Sequence, residues 1–188
     1  MTQVFLASGS PRRKELLTQL GYAFEILTLD VAEQHQPDET PADYVQRLSR
    51  DKAMAGVCVT NGTTPVVGSD TIVVIDGQIL EKPRDFAHSR EMLMLLSGRS
   101  HQVMTAVTVA TQARQATTLV VTDVWFRALT EQDIQDYWQS GEPQDKAGSY
   151  AIQGIGGKFI ARIEGSYHAV VGLPLLETDA LIREFMTH

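Results

Sequence analysis

Apolar and polar positions change their spacing several times along the chain, and each change marks an element. Residues 3–7 form a short apolar run that reads as a buried strand, followed by the turn Ser8-Gly9-Ser10. Ser10 is a good N-cap and Pro11 suits a first helical position, which predicts a helix over 11–20 stopped at Gly21. Residues 23–29 read as a second strand. Thr40, Pro41 and Asp43 start a longer helix that runs to about residue 59, before Asn61-Gly62. A β-branched run over 65–75, the turn Asp76-Gly77 and residues 78–81 predict a hairpin. A helix over 86–96 is closed by Ser97-Gly98, and two long alternating segments, 101–111 and 117–127, read as antiparallel neighbours. Thr130 caps a helix to about residue 140. Glycine-rich irregular chain then leads to two short segments, 159–163 and 167–171, on either side of a Glu164-Gly165 turn, and Pro174 opens a last helix to residue 186. Strands and helices mix without strict βαβ alternation. The pattern therefore predicts an α/β fold with a mixed sheet and helices on both sides.

Three positions break the local rules, and such breaks mark candidate sites. Arg12 and Arg13 follow Ser10-Pro11 at a helix start, where the partial positive charge of the helix disfavours cations. With an anion present the sign reverses: Ser8, Ser10, free N–H groups and two guanidiniums would converge on a phosphate, and Gly9 would let the backbone come close. The alternative is a solvated basic patch. Lys52 falls in the apolar series Val45, Leu48, Lys52, Ala55, Val59, whose spacings of 3 and 4 put it in the middle of a helical stripe. It either serves a site or lays its stem on the core and reaches outward. Asp70 interrupts an interior strand, where a carboxylate must be paired, metal-bound or shifted in pKa. Gly68 beside it suggests a bulge or a close backbone approach that aims Asp70 into a cleft. Binding to a neighbouring turn is the bland reading. Asp123 is a weaker anomaly of the same kind. Glu33 and Lys82 complete an inventory of acidic and basic groups around a Gly-Ser turn. Two carboxylates on a divalent metal, with basic groups on phosphate oxygens, is how phosphoryl chemistry is equipped.

Composition narrows the classes. The chain has 188 residues with 16 Lys plus Arg against 23 Asp plus Glu, a formal net charge of −7. That balance argues against partners such as nucleic acid polymers or anionic membranes. It leaves room for a small basic interior made by Arg12, Arg13, Lys52 and Lys82, open to compact triphosphates. The length suits one domain or two small ones. No apolar run reaches a membrane span, and the N-terminus, with polar Thr2, lacks a signal-peptide pattern. The single cysteine, Cys58, reads as a packing residue in a reducing compartment, the cytoplasm. There is no Gly-x-Ser-x-Gly elbow, no Walker A spacing and no complete Gly-x-Gly-x-x-Gly. The five histidines, His188 included, are scattered without a His-Glu-x-x-His motif. Trp125 and Trp138 read as core or edge aromatics.

Several blocks occur in an order that resembles the Maf family of nucleoside triphosphate pyrophosphatases. They are Leu6-Ala7-Ser8-Gly9-Ser10-Pro11-Arg12-Arg13 with Glu15-Leu16-Leu17, then Val67-Gly68-Ser69-Asp70-Thr71, Glu81-Lys82-Pro83, Leu96-Ser97-Gly98, Asp145-Lys146-Ala147-Gly148 and Val171-Gly172-Leu173-Pro174. The resemblance spans essentially the whole chain. It implies an elongated mixed β-sheet with flanking helices and a central cleft, an inosine-triphosphatase-like fold in one domain of two lobes over 1–188. It also implies a homodimer and hydrolysis of a nucleotide to its monophosphate and pyrophosphate with Mg or Mn. By position, Ser8, Arg13, Lys52 and Lys82 would hold the triphosphate, and Glu33 and Asp70 would serve metal and water, with Asp70 as proton acceptor. Arg12, Thr71 and Gln153 resemble the subgroup acting on dTTP and UTP. Ala169 departs from the family, where many members carry Asn. The other readings are a pyrophosphatase for modified nucleotides, 7-methyl-GTP or 5-methyl-UTP, and a nucleotide-binding regulator of cell division.

Overall fold

The structure is a computed structural model that describes residues 1 and 3–187; Thr2 and His188 lie outside the described residues. Strands β1 (Val4–Leu6), β2 (Phe24–Ile26), β3 (Val66–Ile75), β4 (Gln78–Leu80), β5 (Ser100–Ala110), β6 (Gln115–Phe126) and β7 (Ile160–Glu164) form one mixed sheet. Its helices are α1 (Pro11–Gln19), α2 (Pro41–Cys58), α3 (Phe86–Leu96), α4 (Glu131–Gln139), α5 (Tyr167–Val171) and α6 (Leu175–Met186). Caps start the helices where the sequence places them. Ser10 accepts from Arg13 N, Thr40 from Asp43 N, and Thr130 forms a reciprocal capping box with Asp133.

Strand order is β2-β1-β3-β5-β6-β7, with β4 paired on β3 off that path. β3 decides where a cleft can open. One edge is occupied by β5 from Val66↔Ala110 to Val74↔Gln102. The other edge is shared: Val66 and Val67 pair in parallel with β1, whereas Val73, Val74 and Ile75 pair antiparallel with β4. Among the described residues, no strand pairs with 68–72 on that edge. The chains leaving β1 and β4 diverge around them, so the crevice lies at a switch in the sheet's connectivity.

α2 covers one face, packing Tyr44, Val45 and Leu48 on Ile72, Val74 and Ala106. On the other face α1 and α6 bring Leu16, Leu17 and Ile182 onto Leu6, Val67 and Val107. α3 and α4 set Leu93, Leu96, Ile134 and Tyr137 around Val73, Val103 and Val124. These are the helices on both sides that the pattern predicts. No helix among the described residues is long and apolar enough to cross a membrane.

Four local readings change. The segment after the Glu164-Gly165 turn does not return as a strand: Ser166 caps it through Ala169 N, and it coils into α5. The second strand stops at Ile26, and the following residues bend to line the cleft. The buried stripe of α2 runs through Tyr44, Val45, Leu48, Ser49, Ala53, Gly56 and Val57, leaving Val59 exposed and Lys52 at its margin. Cys58 is exposed at the end of α2 and does not pack.

Candidate active site

Gly68 brings α2 against β3. A Cβ there would lie 2.4 Å from the Ser49 carbonyl oxygen and 2.6 Å from Ala53 N, so only glycine permits this approach. The register of β3 with β5 is unbroken through Gly68, so the glycine marks close contact and not a bulge. This contact sets Lys52 over the strand. Its Nζ donates to Asp70 Oδ1 at 2.7 Å and stands 2.7 Å from Glu33 Oε1. Asp70 is 8% exposed at the open edge of β3, whereas Glu33 reaches in from an exposed loop.

That loop is itself tied to α2. Arg47 forms a fork with Glu39 and donates to the Gln34 carbonyl at 2.8 Å, and Tyr44 OH donates to the Glu33 carbonyl at 3.3 Å. Burial acts to raise the Glu33 pKa, but the Lys52 ammonium, with Lys82 and Arg13 farther off, holds it below the ordinary value. Tyr44 is pushed up to about 12 by burial and by the carboxylates of Glu81, Asp70 and Glu33.

α1 also presents its N-terminus to the cleft, with residues 8–13 among its lining. Ser8 Oγ accepts from Ser10 N at 3.2 Å, which shapes the turn and leaves the hydroxyl proton for a ligand. Gly9 meets nothing within 4 Å of an added Cβ, so protein packing does not demand a glycine there. Arg13 donates from Nε to the Gly172 carbonyl at 2.8 Å and from Nη2 to Thr71 Oγ1 at 3.1 Å. Burial lowers its pKa, while the charges of Asp70 and Glu33 act the other way. Arg12 lines the cleft within electrostatic reach of Asp145. Lys82, after β4, also lines it and is exposed.

The cleft has a volume of about 890 Å³ and gathers Ser8, Arg12, Arg13, Glu33, Lys52, Asp70, Thr71 and Lys82. Gln153 is exposed and does not line it, although its neighbour Ile152 does. Glu81, Tyr44, Asp145 and Lys146 also line it, though none of them breaks a local rule of the sequence. Glu81 has its pKa raised by burial first and then by the charges of Asp70 and Glu33. Its place beside Lys82 is the signal that could have found it. The cleft is therefore not the basic interior that the four cations suggest. Its lining carries five basic side chains and five acidic ones, Asp30, Glu33, Asp70, Glu81 and Asp145.

Charge of both signs in one crevice suits a ligand that brings phosphates and a cation together. No group of three His, Cys, Asp or Glu residues stands in metal-holding geometry among the described residues. The hard oxygens of Glu33 and Asp70 fit the open kind of Mg or Mn site, one or two carboxylates completed by phosphate oxygens and water.

Known proteins match nearly all of this chain. A sequence model described as Maf-like protein matches residues 3–185. A protein of Photobacterium profundum named dTTP/UTP pyrophosphatase is 66% identical over 98% of this chain and 97% of its own length. Proteins of the same name from Aliivibrio fischeri and Vibrio cholerae are 65% and 59% identical, over 98% of this chain and 98% and 99% of theirs. Among solved structures, a nucleoside-triphosphatase / dITP/XTP pyrophosphatase from Mycobacterium abscessus superposes with a TM-score of 0.44 at 15% identity, covering 73% of this chain and 94% of that one. That likeness is too slight to carry weight, but the match over residues 3–185 is not: the chain belongs to the Maf family.

Proposed function

We propose that this protein is a nucleoside triphosphate pyrophosphatase that hydrolyses dTTP and UTP to the monophosphate and pyrophosphate. The observation that carries the reading is the Lys52 ammonium, 2.7 Å from both Asp70 and Glu33, facing Arg13 and the Ser8 turn across one cleft. The shared name of the close relatives points to the same substrates.

In this mechanism water attacks the α-phosphorus in line. The new P–O bond forms as the bond from that phosphorus to the bridging oxygen breaks, and pyrophosphate leaves. Asp70 accepts the water's proton; Lys52 holds Oδ1, and Oδ2 has no partner among the described residues. Ser8, Arg13, Lys52 and Lys82 bind the phosphate chain and offset the charge that builds on its oxygens. Glu33 and Asp70 would hold Mg or Mn, which supplies further positive charge to the phosphates when bound. Arg12 and Thr71, which line the cleft, and Gln153, exposed next to the lining residue Ile152, are assigned to substrate choice, with Gln153 able to donate to and accept from the edge of a pyrimidine that extends to it. Thymine and uracil differ by one methyl, worth about 1–3 kcal/mol, so both are used.

A homodimer belongs to this reading. β7 pairs with β6 through Asp123–Phe126, and among the described residues no strand pairs with 115–122 of β6 on that edge, which a second copy would cover. The single cysteine suits work in the cytoplasm.

The test is a panel of canonical and modified nucleotides scored for monophosphate and pyrophosphate, run on Asp70→Asn, Lys52→Ala and Lys82→Ala. Asp70→Asn loses turnover, whereas Lys82→Ala chiefly raises KM. Wild-type turnover in Asp70→Asn would sink the proton-acceptor role, and a strong preference for 7-methyl-GTP or other purines would overturn the substrate assignment.

A further inference from the structure

Arg13 is held by a chain of hydroxyls that ends deep in the sheet. Its Nη2 donates to Thr71 Oγ1 at 3.1 Å, Thr71 Oγ1 stands 2.9 Å from Thr105 Oγ1, and Thr105 Oγ1 donates to the Ala169 carbonyl at 2.6 Å. The direction of every bond is forced. A carbonyl only accepts, so the single Thr105 proton goes to Ala169. Thr105 oxygen is then free to accept the Thr71 proton, and Thr71 oxygen to accept from the guanidinium. On its other donor, Arg13 Nε meets the Gly172 carbonyl, which also accepts from Ser69 Oγ at 3.2 Å. Two fixed bonds on a planar fork set its plane, and Nη1 has no partner among the described residues. Thr105 is fully buried and does not line the cleft, so it cannot meet a substrate itself.

We infer that Thr105 is a positioning residue of this site, acting through Thr71 to fix the Arg13 guanidinium with Nη1 turned to the substrate's phosphates. The inference rests on the phosphate-binding role proposed above for Arg13. It gives Thr71 a second task, since a cleft residue whose hydroxyl is committed at both ends shapes the site through Arg13. The same chain joins three elements, β3 through Thr71, β5 through Thr105 and α5 through Ala169.

Thr105→Val keeps the side-chain shape and removes the oxygen. The Thr71 proton then loses its acceptor, and the guanidinium loses an oriented partner. Two readouts separate positioning from general damage. The Arg13 Nε–H signal in 15N-labelled protein, assigned by its loss in Arg13→Lys, should exchange with water about tenfold faster in Thr105→Val, the scale of one bond to a charged group. Thr105→Ser should restore the wild-type rate. Thr71→Val breaks the chain one link nearer and should speed exchange equally, which decides the matter if Thr105→Val does not fold. KM for dTTP should rise about tenfold in Thr105→Val with a smaller fall in kcat, because the guanidinium both binds the phosphates and offsets the charge that builds on them. In the Arg13→Lys background Thr105→Val should add nothing. Unchanged exchange in Thr105→Val overturns the inference whatever the activity, as does an equal KM rise in the Arg13→Lys background. A wild-type protein that protects Arg13 yet does not turn over dTTP overturns the proposed function, and the exchange comparison still decides the role of Thr105.

Discussion

Replacing Gly68 with alanine tests why α2 can reach Asp70 at all. The added Cβ would lie 2.4 Å from the Ser49 carbonyl oxygen, 2.6 Å from Ala53 N and 3.0 Å from Ala53 Cα. All three are backbone atoms, so no side-chain rotation relieves the clash. Ordinary contacts lie near 3.5 Å, which requires α2 to retreat by roughly 1 Å. Overpacking of this kind destabilises by about 1–3 kcal/mol. Lys52 directly precedes Ala53, so the same retreat stretches its 2.7 Å contact with Asp70 on β3 beyond hydrogen-bond range, while Glu33, on a loop tied to α2, moves with it. A misplacement of about 1 Å near the chemistry lowers rates by up to about 100-fold. Urea unfolding followed by far-UV circular dichroism measures the first effect. Pyrophosphate release from dTTP, assayed where the variant is fully folded, measures the second. Gly9→Ala is the control: its Cβ meets nothing within 4 Å, so stability should stay within about 0.5 kcal/mol. A Gly68→Ala protein with wild-type midpoint and turnover would refute the argument that the missing Cβ seats the helix.

Other expectations follow from the same geometry. Burial pushes the His101 pKa down to about 4, against an ordinary value of about 6.5. Between about pH 6.5 and pH 4 the unfolded chain takes up a proton that the native protein refuses, so His101 draws stability down as pH falls, by up to about 3 kcal/mol, with no effect above that window. His101→Gln should flatten this part of the stability profile, and equal slopes in the two proteins would count against it. Arg47→Ala releases Glu39 and Gln34 and so loosens the loop that carries Glu33; turnover should fall several-fold with little change in the unfolding midpoint. Chelation by EDTA should abolish turnover and added Mg or Mn restore it, whereas persistent activity would remove the metal from the reading.

Legibility followed the range of the forces involved. Caps act over three residues, so Ser10-Pro11, Thr40-Pro41 and Thr130 placed their helices from sequence, and β-branched runs placed β3, β5 and β6. The anomaly at Asp70 was also visible, because a carboxylate inside a β-branched strand needs a partner wherever the strand lies. Segment 167–171 was not legible as a helix: Tyr167, Val170 and Val171 favour a strand locally, and the Ser166 cap and packing on the sheet prevail over that preference. The stripe of α2 was misjudged for a related reason. Counting apolar residues favours Ala55 and Val59, but the close approach at Gly68 selects the small residues Ser49 and Ala53, and Gly56 packs one turn on against Val66 and Leu27.

The sequence by itself determined the element order up to the Glu164-Gly165 turn, the mixed α/β class, the candidate set Ser8, Arg13, Lys52, Asp70 and Lys82, and the family, because spacing, caps and motif order are properties of neighbours along the chain. Tertiary structure alone decided what those residues touch. Lys52 meets Asp70 across 18 positions, Thr71 meets Thr105 across 34, and Arg13 meets Gly172 across 159. It also decided the sign of the cleft, since net charge does not say that five carboxylates converge with five cations. Contacts so distant in sequence depend on how helix and strand pack, and here that packing rests on the hydrogen atom that Gly68 carries in place of a side chain.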